Sequence, residues 1–214
     1  MAWVMLAVMT APAAARPRVK LGASTDFENV MPNSALLLVD LINTWRMPGG
    51  APLRRQTRQL APRIAALAER VRAKKWPVIY ANDNFGRWRS DFAQVIEMAE
   101  RQDSDAAEIA RRLRPQPTDY FVLKPRHSAF YQTPLEALLD KLRVRRLVMV
   151  GVAGDQCLLA TASDALLREY AVQIPGDLIL CPTPARTGAI RRHFREVMDI
   201  DVGSSAGIAA KRKR

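Results

Sequence analysis

Five times along this chain a short apolar run stops abruptly on a charged, amide or glycine residue. The runs are ALLLVD (Ala35 to Asp40), PVIYAN (Pro77 to Asn82), DYFVLK (Asp119 to Lys124), RLVMVG (Arg146 to Gly151) and AVQIPG (Ala171 to Gly176). A sixth, VMDIDV (Val197 to Val202), is weaker. Runs too short for helices and without polar alternation predict strands buried on both faces, as in a parallel sheet. Stretches with helical spacing lie between them, over 51–75, 91–114, 134–143, 155–169 and 184–196. The alternation predicts an α/β fold: a single three-layer αβα domain with a doubly wound, mostly parallel sheet of about six strands.

A length of 214 residues fits one domain, and no repeat or Pro/Gly/Ser-rich linker divides it. We expect the domain over 25–205, an N-terminal extension over 1–24 and a basic C-terminal tail over 206–214. The opening MAWVMLAVMTAPAAARP joins an apolar run to small residues as a secretory signal does, but no Lys or Arg precedes the run. It is read as a disordered extension or a mis-assigned start, on a cytoplasmic protein whose two cysteines are reduced thiols.

The formal net charge is +12, from 33 Lys and Arg against 21 Asp and Glu. The basic residues fall largely in pairs on expected helices, such as Arg54 with Arg55 and Arg191 with Arg192, so they read as solvated helix faces. The expected partners are a small-molecule substrate and further copies of the chain, with neither nucleic acid nor membrane engaged.

In doubly wound sheets, ligands bind where loops leave the carboxyl ends of strands. Three such ends carry chemistry. Asp40 closes the first run, Lys124 closes the third, and GVAGDQC (Gly151 to Cys157) follows the fourth. Cys157 opens the helix CLLATASDALLREY, whose N-terminal amides favour a thiolate and can donate to an oxyanion. A lysine would lower the thiol pKa further, and a carboxylate can accept the thiol proton. Singly, each residue also has an ordinary reading: a buried cysteine, a turn carboxylate, a loop cation.

The segments LLLVDLINTW, VLKPRHSAFYQTPLEALL and VGVAGDQCLLATASDALL resemble the isochorismatase-like cysteine hydrolases over about Ser34 to Val202. The resemblance implies that Asp40, Lys124 and Cys157 form a catalytic triad. It also implies a non-proline cis peptide at Val152–Ala153, with the amides of Ala153 and Cys157 directed at an oxyanion. Gly154 stands where many relatives carry Thr. Relatives that hydrolyse nicotinamide hold a metal on Asp and His residues after the second strand, where this chain reads Asn82, Asp83, Asn84, Phe85. No metal and no cofactor is therefore expected. The expected function is hydrolysis of a C–N bond in a small amide or carbamoyl compound through a thioester. The alternative is a non-catalytic binding or scaffold protein that engages RNA or an acidic partner.

Trp45, Phe85, Phe130 and Tyr131 are candidate pocket walls, with Trp88 beside them, because they follow strand ends. Arg87 and Arg89 are candidate anion clamps or surface residues. Cys181 is read as structural, and His127 as either a carboxylate ligand or an ordinary loop histidine.

Overall fold

The computed structural model describes residues 33–84, 91–102 and 104–210. The expectations for 1–24, Phe85, Arg87, Trp88, Arg89 and 211–214 lie outside the described residues. Five parallel strands form one sheet: β1 (Ser34–Val39), β2 (Val78–Asp83), β3 (Tyr120–Lys124), β4 (Arg146–Gly151) and β5 (Ala171–Gln173), in the order β3-β2-β1-β4-β5.

Every residue of β1 is buried, as its unbroken apolar pattern requires. Alternate side chains enter different cores. Leu36 and Leu38 pack with α1 (Gly50–Ala73), α2 (Phe92–Glu100) and α3 (Ser104–Arg112). Ala35, Leu37 and Val39 pack on the other face with α4 (Leu135–Lys141), α5 (Leu159–Leu167) and α6 (Pro184–Glu196). Burying each leucine of such a strand stabilises the fold by about 1.5–3 kcal/mol. α1 shows why its sequence is helical: Leu53, Thr57, Ala61, Ile64, Leu67, Ala68 and Val71 recur every three or four residues and form its buried stripe.

Three boundaries differ from the sequence reading. The helix expected over 91–114 is two helices, α2 ending at Glu100 and α3 beginning at Ser104. The sheet has five strands, not about six. The run Val197 to Val202 contributes only a bridge from Asp201 to Gln173, with Ile174 N–H donating to the Asp201 carbonyl at 2.9 Å. Pro175, without an N–H, stops β5 from extending further. The domain also runs past residue 205: Ile208 is buried in the α1-side core, and Arg70 donates to the carbonyls of Ser205 and Ile208.

The strand order places a topological switch between β1 and β4, where crossovers leave to opposite faces and a crevice opens at the strand ends. Gly151 keeps those ends close. A Cβ there would lie 2.2 Å from the Val39 carbonyl oxygen, and the next residue's N–H donates to that oxygen at 3.1 Å. We predict that Gly151→Ala lowers the unfolding free energy in denaturant titrations by about 1–3 kcal/mol, the usual range for overpacking. Gly188→Ala in α6, where the nearest atom is the tip of Arg192 at 3.8 Å, should be neutral or stabilising by up to about 1 kcal/mol.

Candidate active site

Asp40 leaves β1 with φ 52°, a left-handed conformation that aspartate tolerates better than most residues. Its N–H donates to the Ala81 carbonyl, and Asn43 Nδ2 donates to its own carbonyl, both at 2.9 Å. The buried carboxylate accepts from Asp83 N–H on Oδ1 at 2.7 Å and pairs through Oδ2 with Lys124 Nζ at 2.8 Å. β2 separates β1 from β3, and its last residue, Asp83, is in register with Lys124. The long lysine side chain therefore passes over the end of β2 to reach Asp40.

Lys124 is fully buried. Besides Asp40, its ammonium contacts the Arg126 carbonyl at 3.2 Å, Cys157 Sγ at 3.5 Å and Asp83 Oδ2 at 4.0 Å. A buried cation needs this many partners to offset its lost hydration.

Cys157 reaches the same point from β4. After the cis peptide at Val152–Ala153, residues Gly154–Leu158 form a π turn that leads into α5. Gly154 N–H donates to Leu180 O at 2.7 Å, and a Cβ on Gly154 would approach Ile179 Cγ2 at 2.9 Å and Cys181 Sγ at 3.0 Å. A threonine at this position would have no room without repacking. Thr161 Oγ1 donates to the Cys157 carbonyl at 2.7 Å, which fixes the turn to the helix behind it. The N–H of Ala153 has no acceptor among the described residues.

Burial and the two neighbouring charges do not all act on the thiol in the same direction. Burial pushes the Cys157 thiol up to about 12 and the neighbouring Asp40 charge adds to this, while Lys124 pulls it down. The helix start and the lysine therefore do not leave a resting thiolate, because the thiol is partly buried beside a carboxylate. Burial also raises the Asp40 pKa, with Lys124, Cys157 and the Asp83 amide opposing. For Lys124, burial works against the charge but Asp40 and Cys157 outweigh it, and its pKa rises. The arrangement is a protonated thiol, a carboxylate with raised proton affinity and a firmly charged ammonium.

The structure thus brings Asp40, Lys124 and Cys157 together, with Val152 and Ala153 alongside. It separates the aromatic candidates. Trp45 is buried in the core on the α1 face, whereas Phe130 is buried on the opposite face, 5.8 Å from the Tyr170 ring and under the Arg168 guanidinium. Tyr131 is exposed. Cys181 is fully buried, and burial foremost pushes its thiol up to about 11. His193 lies in the last turn of α6. His127 is the residue that sequence reasoning undervalued: its Nδ1 lies 3.5 Å from Cys157 Sγ. The available signal was its position three residues past the strand-end lysine, in the same loop.

The residues at the end of β2 do not suit a metal. Asn82 Nδ2 is committed to the Ile42 carbonyl at 2.6 Å, and Asp83 Oδ2 lies 4.0 Å from the Lys124 ammonium, which repels a cation. No group of three or more His, Cys, Asp or Glu among the described residues is placed to hold a metal ion.

The chain is similar to known proteins along most of its length. The isochorismatase domain model matches residues 34–201. An uncharacterized isochorismatase family protein, YaaI of Bacillus subtilis (strain 168), is 41% identical over 147 residues, covering 69% of this chain and 80% of that protein. The N-carbamoylsarcosine amidase of Arthrobacter sp is 28% identical over 157 residues, 68% of this chain and 58% of that protein. The crystal structure of N-carbamoylsarcosine amidase from Thermoplasma acidophilum superposes with a TM-score of 0.64 at 26% identity, covering 83% of this chain and 99% of that one.

The charge arrangement makes a signed prediction for iodoacetamide labelling of Cys157 at mildly alkaline pH. Asp40→Asn removes a charge that raises the thiol pKa, so labelling should accelerate. Lys124→Met removes a charge that lowers it, so labelling should slow. Both differences should begin to shrink only as pH nears 12, where about half of the wild-type thiol is ionised. Peptide mapping of the alkylated protein checks the site, and changes of the opposite sign would refute this electrostatic picture.

Proposed function

The chain belongs to the isochorismatase-like cysteine hydrolase family, and on that premise we propose that it is a metal-independent amidohydrolase, cleaving a small amide or carbamoyl compound through a thioester on Cys157. The observation that carries this reading is the convergence of Cys157 Sγ, the Lys124 ammonium and the Asp40 carboxylate within a few ångströms of one another. The names of the amidases similar to this chain support the amide bond as the target.

The chemistry follows from the charge states. A thiol at about 12 is a poor nucleophile at neutral pH, so its proton must leave as sulfur attacks the carbonyl carbon. Asp40 is the acceptor, and its raised proton affinity suits the task. Lys124 keeps the carboxylate oriented and offsets charge on sulfur during the transfer. The carbonyl oxygen, turning into an oxyanion, is received by the amides of Ala153 and Cys157. Asp40 then returns the proton to the nitrogen as the C–N bond breaks. Ammonia or an amine departs, and water hydrolyses the thioester to the acid and the free thiol.

The test is a screen of small amides and carbamoyl compounds for ammonia or amine release. With a substrate found, Cys157→Ser should abolish turnover while binding persists, and Cys181→Ser should leave activity nearly intact. Asp40→Asn should cost about 10² to 10⁴ in kcat, the usual scale for a general acid–base group. Activity should survive exhaustive chelation. Retained turnover in Cys157→Ser, or activity lost to EDTA and restored by zinc, would sink the proposal.

A further inference from the structure

The three groups assigned above leave one face of the sulfur to something else. Asp40 and Lys124 lie behind Cys157 Sγ, 6% and 0% exposed, and neither faces solvent. His127 is exposed, and its Nδ1 stands 3.5 Å from the same sulfur.

Its place is fixed by a set of bonds to the helix that carries the cysteine. The adjacent Ser128 is buried, and its hydroxyl donates to Asp164 Oδ2 in α5 and accepts from Phe130 N–H at 3.1 Å. Asp164 is itself paired with Arg168 at 3.0 Å. Ala129 N–H donates at 3.0 Å to Thr161 Oγ1, the hydroxyl that in turn donates to the Cys157 carbonyl. These bonds tie the loop next to His127 to the helix that carries the nucleophile, which places the imidazole beside the sulfur.

We propose that His127 is a further catalytic residue, the base that takes a proton from the water that hydrolyses the thioester on Cys157. This rests on the thioester reading above. Once sulfur is acylated and the amine has left, the hydrolytic water enters from solvent, on the side of sulfur that the exposed His127 borders, while Asp40 and Lys124 stay buried behind it. A water there lies within hydrogen-bond reach of the ring, in the tautomer that carries its proton on Nε2. As the water oxygen bonds to carbon, its proton passes to Nδ1. The tetrahedral adduct then collapses, the C–S bond breaks, and the imidazolium returns the proton to sulfur. The acid leaves and both residues are restored.

4-Nitrophenyl acetate, a general acyl donor, tests this on the full-length protein without knowledge of the natural substrate. Nitrophenolate release reports acylation, and the mass of the Cys157 peptide reports how long the acetyl group remains. In His127→Ala, acetylation of Cys157 should proceed near the wild-type rate, while the acetyl group persists about 10² to 10⁴ times longer. Free imidazole should shorten its lifetime in that variant, and His127→Gln, which hydrogen-bonds without taking a proton, should not rescue. An acetyl lifetime in His127→Ala within threefold of wild type, equal slowing of both steps, or no response to imidazole would overturn the assignment while leaving Cys157 as nucleophile. Failure of wild-type Cys157 to acetylate at all would overturn the thioester reading and this inference with it.

Discussion

The buried contact between Lys124 Nζ and Asp40 Oδ2, at 2.8 Å, is the interaction on which the rest of the site depends. Neither charge is tolerable alone in the interior, because breaking a buried pair leaves an uncompensated ion at a cost of about 3–5 kcal/mol. Together they join the ends of two strands that are not neighbours in the sheet. The amide of Asp83, from the strand between them, donates to the same carboxylate. The pair also sets the state of the nucleophile, since its two charges act on the Cys157 thiol in opposite directions.

The fold supplies what that pair requires. The switch point between β1 and β4 brings the Asp40 turn beside the π turn of Cys157, and Gly151 permits the close approach of the two strand ends. The small residue at 154 lets the π turn pack against Cys181 and Ile179. The second cysteine thereby contributes volume under the active turn, which accounts for its complete burial.

Much of this was legible in the sequence because strand interiors and strand ends obey different rules. Unbroken apolar runs required a parallel sheet, and a parallel sheet required that Asp40, Lys124 and the loop before Cys157 share one edge. Side-chain destinations were less legible. Trp45 and Phe130 both follow strand ends, yet they turn into cores on opposite faces, a choice made by packing that linear order does not encode. The thiol's net proton affinity was only partly legible: the lowering influence of Lys124 could be read from the sequence, but burial beside Asp40, which outweighs it, could not. His127 was undervalued for a related reason: its loop is held through Ser128 and Ala129 to Asp164 and Thr161 of α5, more than thirty positions away in the chain. The weak sixth run meets β5 only at a bridge between Asp201 and Gln173 and forms no strand.

The central claim is that the three strand-end groups act as one catalytic unit, and a double-mutant comparison of amide hydrolysis tests it most directly. If Asp40 works only by moving the proton of Cys157, then Asp40→Asn combined with Cys157→Ser should be scarcely slower than Cys157→Ser alone. Losses that multiply in the double variant would mean that the two residues act independently, and the account of the site given by their geometry would be wrong.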